Sequence, residues 1–575
     1  MDWKHTYQEW KNHPSLDPES KKSLEEMEND EKEQEEAFYA PLEFGTAGMR
    51  GILGAGINRM NRYTVRQATE GLALLISQKG EEAKERGVAI AYDSRHKSPE
   101  FALEAGKVLG QHGIKAYVFE SLRPTPELSF AVRHLNAVAG IMITASHNPA
   151  EYNGYKVYGE DGGQMPPEDA GKLTKLVREI RDILSLKVAD AEELKEKELL
   201  VMIGEEVDEA YLKEMRSVTQ DPALIKRMGD KVQIVFTPLH GTGKMMGERA
   251  LKQAGFKQVS LVEEQAEPDP DFSTVTSPNP EDPAAFEYAE KKGRSVDADV
   301  LIATDPDADR LGMAVKTGEG EYVVLTGNQI ASLMLDYLLK AQTTNQTLPK
   351  NGVVIKSIVS SELPTAIAER HGVAAENVLT GFKFIAEKIA QYEQTNEKQF
   401  LFGFEESYGY LVKPFVRDKD AIQALVLAAE MTAYHKEQGR TLFEALETLY
   451  EEYGHYEEKT ISVTLSGIEG SRKIKQLMEN LQENPPASFA GIDVTTREDF
   501  KKGLSVDGLG KETPLDFPSS DALKFKLADG SWIAIRPSGT EPKIKFYIGV
   551  KDESKSAASE KLQRFETEIQ EIANA

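Results

Sequence analysis

There is no cysteine anywhere in this 575-residue chain. Disulfides, thiolate metal sites and cysteine nucleophiles are therefore excluded, and a reducing compartment fits. Also missing is any apolar run of membrane-spanning length. The opening MDWKHTYQEWKNH lacks the apolar core of a signal peptide, so the cytoplasm is the default location and no membrane partner is expected. Basic residues are scarce too, with 69 Lys and Arg against 95 Asp and Glu, a net charge of −26. A nucleic-acid partner would need a basic footprint, and this balance argues against one.

What remains is the composition of a soluble globular protein, 40% apolar and 29% charged. Its length suits roughly four domains. The stretch 139–161, AGIMITASHNPAEYNGYKVYGED, begins as an apolar run long enough for a buried strand and too short for a helix. It breaks at Thr144 into small and polar residues ending in Pro149. A hydroxyl, an imidazole and an amide (Ser146, His147, Asn148) are thus presented at a strand end, the edge where open α/β sheets bind ligands. A strand-capping turn is the plain alternative for this loop alone. Downstream, Lys156 and Tyr158 share one side of a short strand.

A second constellation, DADVLIATDPDADRLG at 297–312, delivers Asp305, Asp307 and Asp309 from a buried strand, with Arg310 next. Three carboxylates within five residues repel one another unless a cation sits between them. Oxygen donors of this kind favour Mg²⁺, Mn²⁺ or Ca²⁺. An EF-hand beginning at Asp305 fails, since its sixth position is Arg310 and its twelfth Lys316. A solvated acidic loop is the alternative. The glycine turn HGTGKM after the strand near 232–237 is no P-loop, because Pro238 and Met245 stand at required positions.

Weaker cues accompany these two. FGTAGMRG at 44–51 offers glycine amides and the fork of Arg50, with a flexible hairpin as the plainer reading of this stretch alone. GVAIAYDSR at 87–95 reads as a strand whose Asp93 and Arg95 either orient the serine loop or pair at the strand end, with Ser98 as N-cap of the next helix. FGFEESYGY at 402–410 sets Glu405 and Ser407 among aromatics able to meet sugar hydroxyls, and 417–420 follows with Lys419; alone, either stretch reads more simply as a surface turn. RPSGTEPK at 536–543 puts an arginine, two hydroxyls and a glycine amide on one tight loop, a fitting phosphate cradle, with a proline-glycine hairpin turn as the alternative. So acidic a body repels phosphate, and such a site must concentrate Arg and Lys locally. Residues 15–38 read as a solvated helix, 185–218 as an acidic helical connector, and the end of the chain as an amphipathic helix through Leu562, Phe565, Ile569 and Ile572.

TASHNP with NGYK, DPDADR, the 402–410 loop and RPSGTEPK resemble, in order and over nearly the whole chain, the motifs of the α-D-phosphohexomutases, the phosphoglucomutase and phosphomannomutase family. Pro306 departs from the glycine many members carry. The resemblance implies an α/β protein with four domains around a central cleft, three similar mixed α/β domains and a smaller C-terminal α+β domain, divided as 1–210, 211–324, 325–455 and 456–575. It implies Ser146 as the phosphoryl carrier, with Ser146, Asp305, Asp307 and Asp309 around Mg²⁺. His147, Lys156 and Lys419 would then be catalytic, Lys156 being the candidate for proton transfer. Arg50, Arg310, Glu405, Ser407, Arg536, Ser538, Gly539 and Thr540 would bind substrate. The expected reaction interconverts glucose 1-phosphate and glucose 6-phosphate through glucose 1,6-bisphosphate, with mannose or pentose phosphates as alternatives in the family and a metal-dependent phosphatase outside it. Partners are then small sugar phosphates; oligomeric state is not legible.

Overall fold

The computed structural model describes residues 2–45, 48–465, 467–538 and 543–574. Its first three sheets repeat one design, a parallel core with an antiparallel hairpin at one edge. In the first sheet the order is Met49–Ile52, Tyr152–Tyr158, Ala139–Ile143, Val88–Tyr92, Ala116–Phe119 and Leu200–Ile203. The second runs Tyr322–Val324, Leu311–Lys316, Val300–Thr304, Gln233–Thr237 and Gln258–Leu261, and the third Ala374–Val378, Gly352–Ser357, Gln399–Glu405 and Gly409–Leu411. The central strands Val88–Tyr92, Ala139–Ile143 and Val300–Thr304 are buried along their whole length, as parallel strands covered on both faces must be.

The motif loops are the hairpin turns of this repeated unit. The turn from Ala139–Ile143 back to Tyr152–Tyr158 carries Ser146. That from Val300–Thr304 to Leu311–Lys316 carries the aspartates, and that from Gln399–Glu405 to Gly409–Leu411 carries Ser407. One topological position, used three times, therefore supplies Ser146, the three aspartates, Arg310 and Ser407. The turns also touch: Arg310 bridges to Gly409, and the Leu311 amide donates to the Tyr408 carbonyl at 3.0 Å.

The C-terminal domain is different, an antiparallel α+β sheet. Its path is His455–Thr464, Lys543–Asp552, Trp532–Pro537, Leu523–Leu527, Ile492–Asp499, Leu504–Asp507 and Glu512–Pro514, with Ser488–Phe489 pairing beside Ile492–Asp499. The helix Lys555–Asn574 packs Phe565 and Ile569 into this domain's own core, with Leu562 and Ile572 partly buried beside them. Among the described residues no helix is long and apolar enough to cross a membrane.

Three local expectations are corrected. Residues 15–38 are not one solvated helix. Helices Trp3–Lys11, Pro18–Glu26 and Glu31–Phe38, capped by Asp2, Asp17 and Asp30, close a small core of Tyr7, Trp10, Leu16, Leu24 and Phe38. The apolar positions were divided among three short helices, so no single window showed a face. Within 185–218 the run Leu200–Ile203 is a strand on the first sheet's edge, parallel to Ala116–Phe119. Ser98 does not cap its helix; Lys97 holds the N-cap in a left-handed conformation, while the Ser98 hydroxyl donates to Asp93 at 2.7 Å.

Candidate active site

Ser146 is nearly inaccessible and has a φ of +52°, a left-handed conformation unusual for a non-glycine residue. Two features hold it there. Its amide donates to the Thr144 hydroxyl at 2.8 Å, which closes the turn. Arg95, fully buried, donates from its guanidinium to the carbonyls of Ser146 at 2.6 Å, Pro149 at 2.7 Å, Tyr152 at 3.0 Å and also Asn148. Both readings of Arg95 therefore hold, for it also pairs with Asp93 at 3.4 Å. Gly48 is required where the neighbouring strand begins. It has a φ of +113°, and a Cβ there would lie 2.0 Å from the Tyr155 carbonyl oxygen. Arg50 follows, its guanidinium donating to the Asn148 side chain at 2.8 Å.

The Ser146 hydroxyl donates to Asp305 Oδ2 at 2.8 Å and lies 3.2 Å from His147 Nδ1. Burial, then the nearby Arg310 and Arg50, push the His147 imidazole well below its ordinary range, so it is neutral. Asp305, Asp307 and Asp309 are all buried and offer oxygens within 4.8 Å of one another. Burial and its two acidic neighbours drive Asp305 well above the carboxylate range. Burial also acts on Asp307, but the ammonium of Lys156 at 2.9 Å holds it below. Lys419 lies 3.2 Å from Asp309 and 3.3 Å from Asp418. Despite burial, these acids raise both lysines, so each stands as a charged ammonium. Asp307 Oδ1 and Asp309 Oδ1 remain buried without a hydrogen-bond partner. Unpartnered buried carboxylate oxygens are costly, and a hard divalent cation is the partner they suit.

Arg50, Ser146, Lys156, Asp309, Arg310 and Lys419 line one cleft of about 1800 Å³, which also reaches Trp10 and His13 of the N-terminal helices. Glu405, Ser407 and Arg536 do not line it. Glu405 is buried and accepts from the Gly381 amide at 2.7 Å, but its charge acts on both Arg310 and Lys419 from close by. Ser407 is half-buried on its turn. Arg536 pairs in register with Lys545 on the adjacent strand, and its charge reaches Glu406. The Ser538 amide donates to the Lys543 carbonyl at 2.7 Å. Gly539 and Thr540 lie outside the described residues.

Several contacts here were not anticipated. Glu281 pairs with Arg310 at 2.8 Å, and Ser277 Oγ donates to the His147 carbonyl at 3.4 Å. One short segment thus spans the serine and aspartate loops; the proline-flanked Asn279 was its only sequence signal, and it marks merely a turn. Asp418 accepts from the Tyr158 hydroxyl at 2.8 Å. Thr125 reaches Asp307 from the first domain.

Against known families, four segments match in order. Residues 41–183, 209–318 and 326–453 match the phosphoglucomutase/phosphomannomutase α/β/α domains I, II and III, and 475–566 match that family's C-terminal domain. The chain belongs to this family. As a phosphohexomutase it is an isomerase. A phosphoglucomutase of Staphylococcus aureus (strain MRSA252) is 41% identical over 521 residues, covering 90% of this chain and 91% of the relative. Phosphohexomutase folds solved in crystals superpose over nearly the whole length. A phosphoglucomutase from Paramecium, pp63/parafusin in an open form, has a TM-score of 0.67 at 17% identity, covering 93% of this chain and 96% of that one. A phosphoglucomutase/phosphomannomutase family protein from Burkholderia thailandensis has a TM-score of 0.65 at 17% identity, covering 92% and 97%. At that identity the likeness concerns the fold.

Proposed function

We propose that this phosphohexomutase is a cytoplasmic phosphoglucomutase, interconverting α-D-glucose 1-phosphate and glucose 6-phosphate through a phosphoserine at Ser146 and a glucose 1,6-bisphosphate intermediate. The observation that carries the reading is the 2.8 Å contact between the Ser146 hydroxyl and Asp305 across two domains, at a cleft into which Arg50, Lys156, Arg310 and Lys419 bring positive charge. The name of the Staphylococcus aureus relative supports glucose as the sugar. The reading keeps the domain divisions at 210/211, 324/325 and 455/456.

In this reading Ser146, Asp305, Asp307 and Asp309 hold Mg²⁺, which when bound neutralises part of the phosphoryl charge. The bond from phosphorus to Ser146 Oγ breaks as a bond to the free sugar hydroxyl forms. Lys156 gives a proton to the departing serine oxygen and takes the one the sugar loses, with Lys419 as the second candidate. His147, being neutral, orients the serine hydroxyl through its 3.2 Å contact. Arg50 and Arg310 receive the transferring group. Glu405 and Ser407 bind sugar hydroxyls, and Arg536, Ser538, Gly539 and Thr540 hold the phosphate that is not reacting. The bisphosphate then turns end for end, and Ser146 recovers the other phosphoryl group. Water must be excluded while the serine is loaded, or the phosphoryl group is hydrolysed.

Intact mass and a substrate panel test this. The protein should carry one covalent phosphoryl group, absent from Ser146→Ala, and that variant should lose interconversion altogether. With catalytic bisphosphate added, glucose 1-phosphate should outrun mannose and ribose 1-phosphates. Full activity in Ser146→Ala would defeat the mechanism, and a faster mannose or ribose substrate would defeat the assignment of the sugar.

A further inference from the structure

The turn Arg123-Pro124-Thr125-Pro126 stands in the first domain, yet it grips the second. Thr125 is the first residue of the helix Thr125–His134 and is fully buried. Its amide donates to the main-chain carbonyl of Asp307 at 2.8 Å, and its hydroxyl donates to Asp307 Oδ2 at 2.9 Å. The turn itself is stiff. Prolines flank Thr125 on both sides and fix their own φ angles. The guanidinium of Arg123 is anchored by two hydrogen bonds to Asp208, at 2.8 and 2.9 Å. Thr125 therefore has little freedom to follow Asp307 if Asp307 moves.

The two oxygens of Asp307 are treated differently. Oδ2 takes both the Thr125 hydroxyl and, at 2.9 Å, the Lys156 ammonium. Oδ1 is buried with no hydrogen-bond partner. A carboxylate with both donors on one oxygen cannot rotate without breaking them, so the other oxygen is the one left for a cation. Main-chain and side-chain bonds from the same residue fix the position of Asp307 as well as its rotation. Because Ser146 also belongs to the first domain, these bonds set the distance between the serine and the aspartates.

We infer that Thr125 is a positioning residue of the metal site, holding Asp307 across the domain boundary so that Oδ1 is its cation-binding oxygen. This rests on the metal reading above. Partners that orient a metal ligand in this way contribute about 10- to 100-fold in metal affinity. In metal-stripped full-length protein without substrate, Mn²⁺ binding read by the electron paramagnetic resonance of the free ion should weaken about tenfold in Thr125→Val, which keeps the shape and removes the hydroxyl. Thr125→Ser, which restores the hydroxyl, should come within about twofold of wild type. If the valine variant does not fold, Thr125→Ala against Thr125→Ser on the same titration decides. Equal affinity in wild type and the hydroxyl-free variant overturns the proposal and leaves the metal reading standing. A serine variant as weak as valine also overturns it, since methyl packing would then be responsible. A wild-type protein that takes up no Mn²⁺ at this site removes the metal reading and this inference together.

Discussion

Where the first domain meets the second, the joint is polar and occluded, with Ser146 on Asp305 and both Thr125 and Lys156 on Asp307. Beneath it one apolar cluster continues through three domains, from Phe119 and Met142 by way of Phe236 and Ile302 to Leu333 and Phe402. The fourth domain keeps a core of its own, built on Phe525, Phe546 and Phe565. It meets the third through a small patch, in which Ile358, Val359 and Leu379 face Phe500, Trp532 and Tyr547. The polar contact inside that patch is lean: the Lys524 ammonium, over the Trp532 ring, donates to the Ile358 carbonyl at 2.7 Å and lies 3.3 Å from Glu362. Shared cores resist relative motion, and small mixed patches permit it. The serine and the aspartates thus sit on one continuous core, whereas Arg536 belongs to a domain joined to the rest through the smaller patch.

The sharpest way to break that contrast is at the triad. Asp307→Asn removes the charge that Lys156 faces and one cation-binding oxygen, yet leaves the fourth domain untouched. We expect kcat to fall about a hundredfold or more, with KM changed little. Steady-state kinetics across a Mg²⁺ titration measure it, and unchanged turnover would show that the joint is structural only. A smaller effect is expected at the other joint. Trp532→Ala should remove about 3 kcal/mol of packing, since the ring is buried in the patch against Gly549 and its loss leaves a cavity there. The loss should appear as an earlier, separate unfolding transition of the C-terminal domain and a raised KM, with kcat largely kept. One unshifted, cooperative melt would mean the fourth domain is as firmly built in as the others.

The sequence revealed the turns better than it revealed their surroundings. Ser146, Asp305 and Arg310 each end or follow a short apolar strand, a local pattern that any window shows. Ile492–Asp499 in the last sheet has no such pattern, because many of its residues are charged and nearly all are partly buried or exposed. Thr125, Glu281 and Asp418 carry no local signal at all. Their role lies in contacts over 182, 29 and 260 residues of chain, and nothing in a run such as LRPTPEL says which distant acid it will meet. The N-terminal helices escape a periodicity reading for a related reason, since each alone is too short to show its buried side.

The smallest expected effect is also the most selective for the lean joint, because it titrates. Burial, only partly offset by the Glu362 carboxylate that it shares with Lys356, brings the Lys524 ammonium down to about 8, while the two lysines hold Glu362 down to about 2 against its own burial. Glu458, on the strand that enters the fourth domain and beside Ser361 and Asn328, is raised by burial to about 7. The two act in opposite directions. Glu458 binds its proton more tightly in the docked protein, so its contribution is complete below about 4.5 and is lost as pH rises through 7. Lys524 binds its proton less tightly, so its contribution is complete above about 10.5 and is lost as pH falls through 8. The C-terminal transition should therefore have a stability minimum near pH 7 to 8. Glu458→Gln should flatten the acid limb alone and Lys524→Met the alkaline limb alone, both read as differences from wild type in melts across pH 4.5 to 10.5. The transition of the other three domains should follow neither substitution, and a matching shift there would erase the distinction between the two joints.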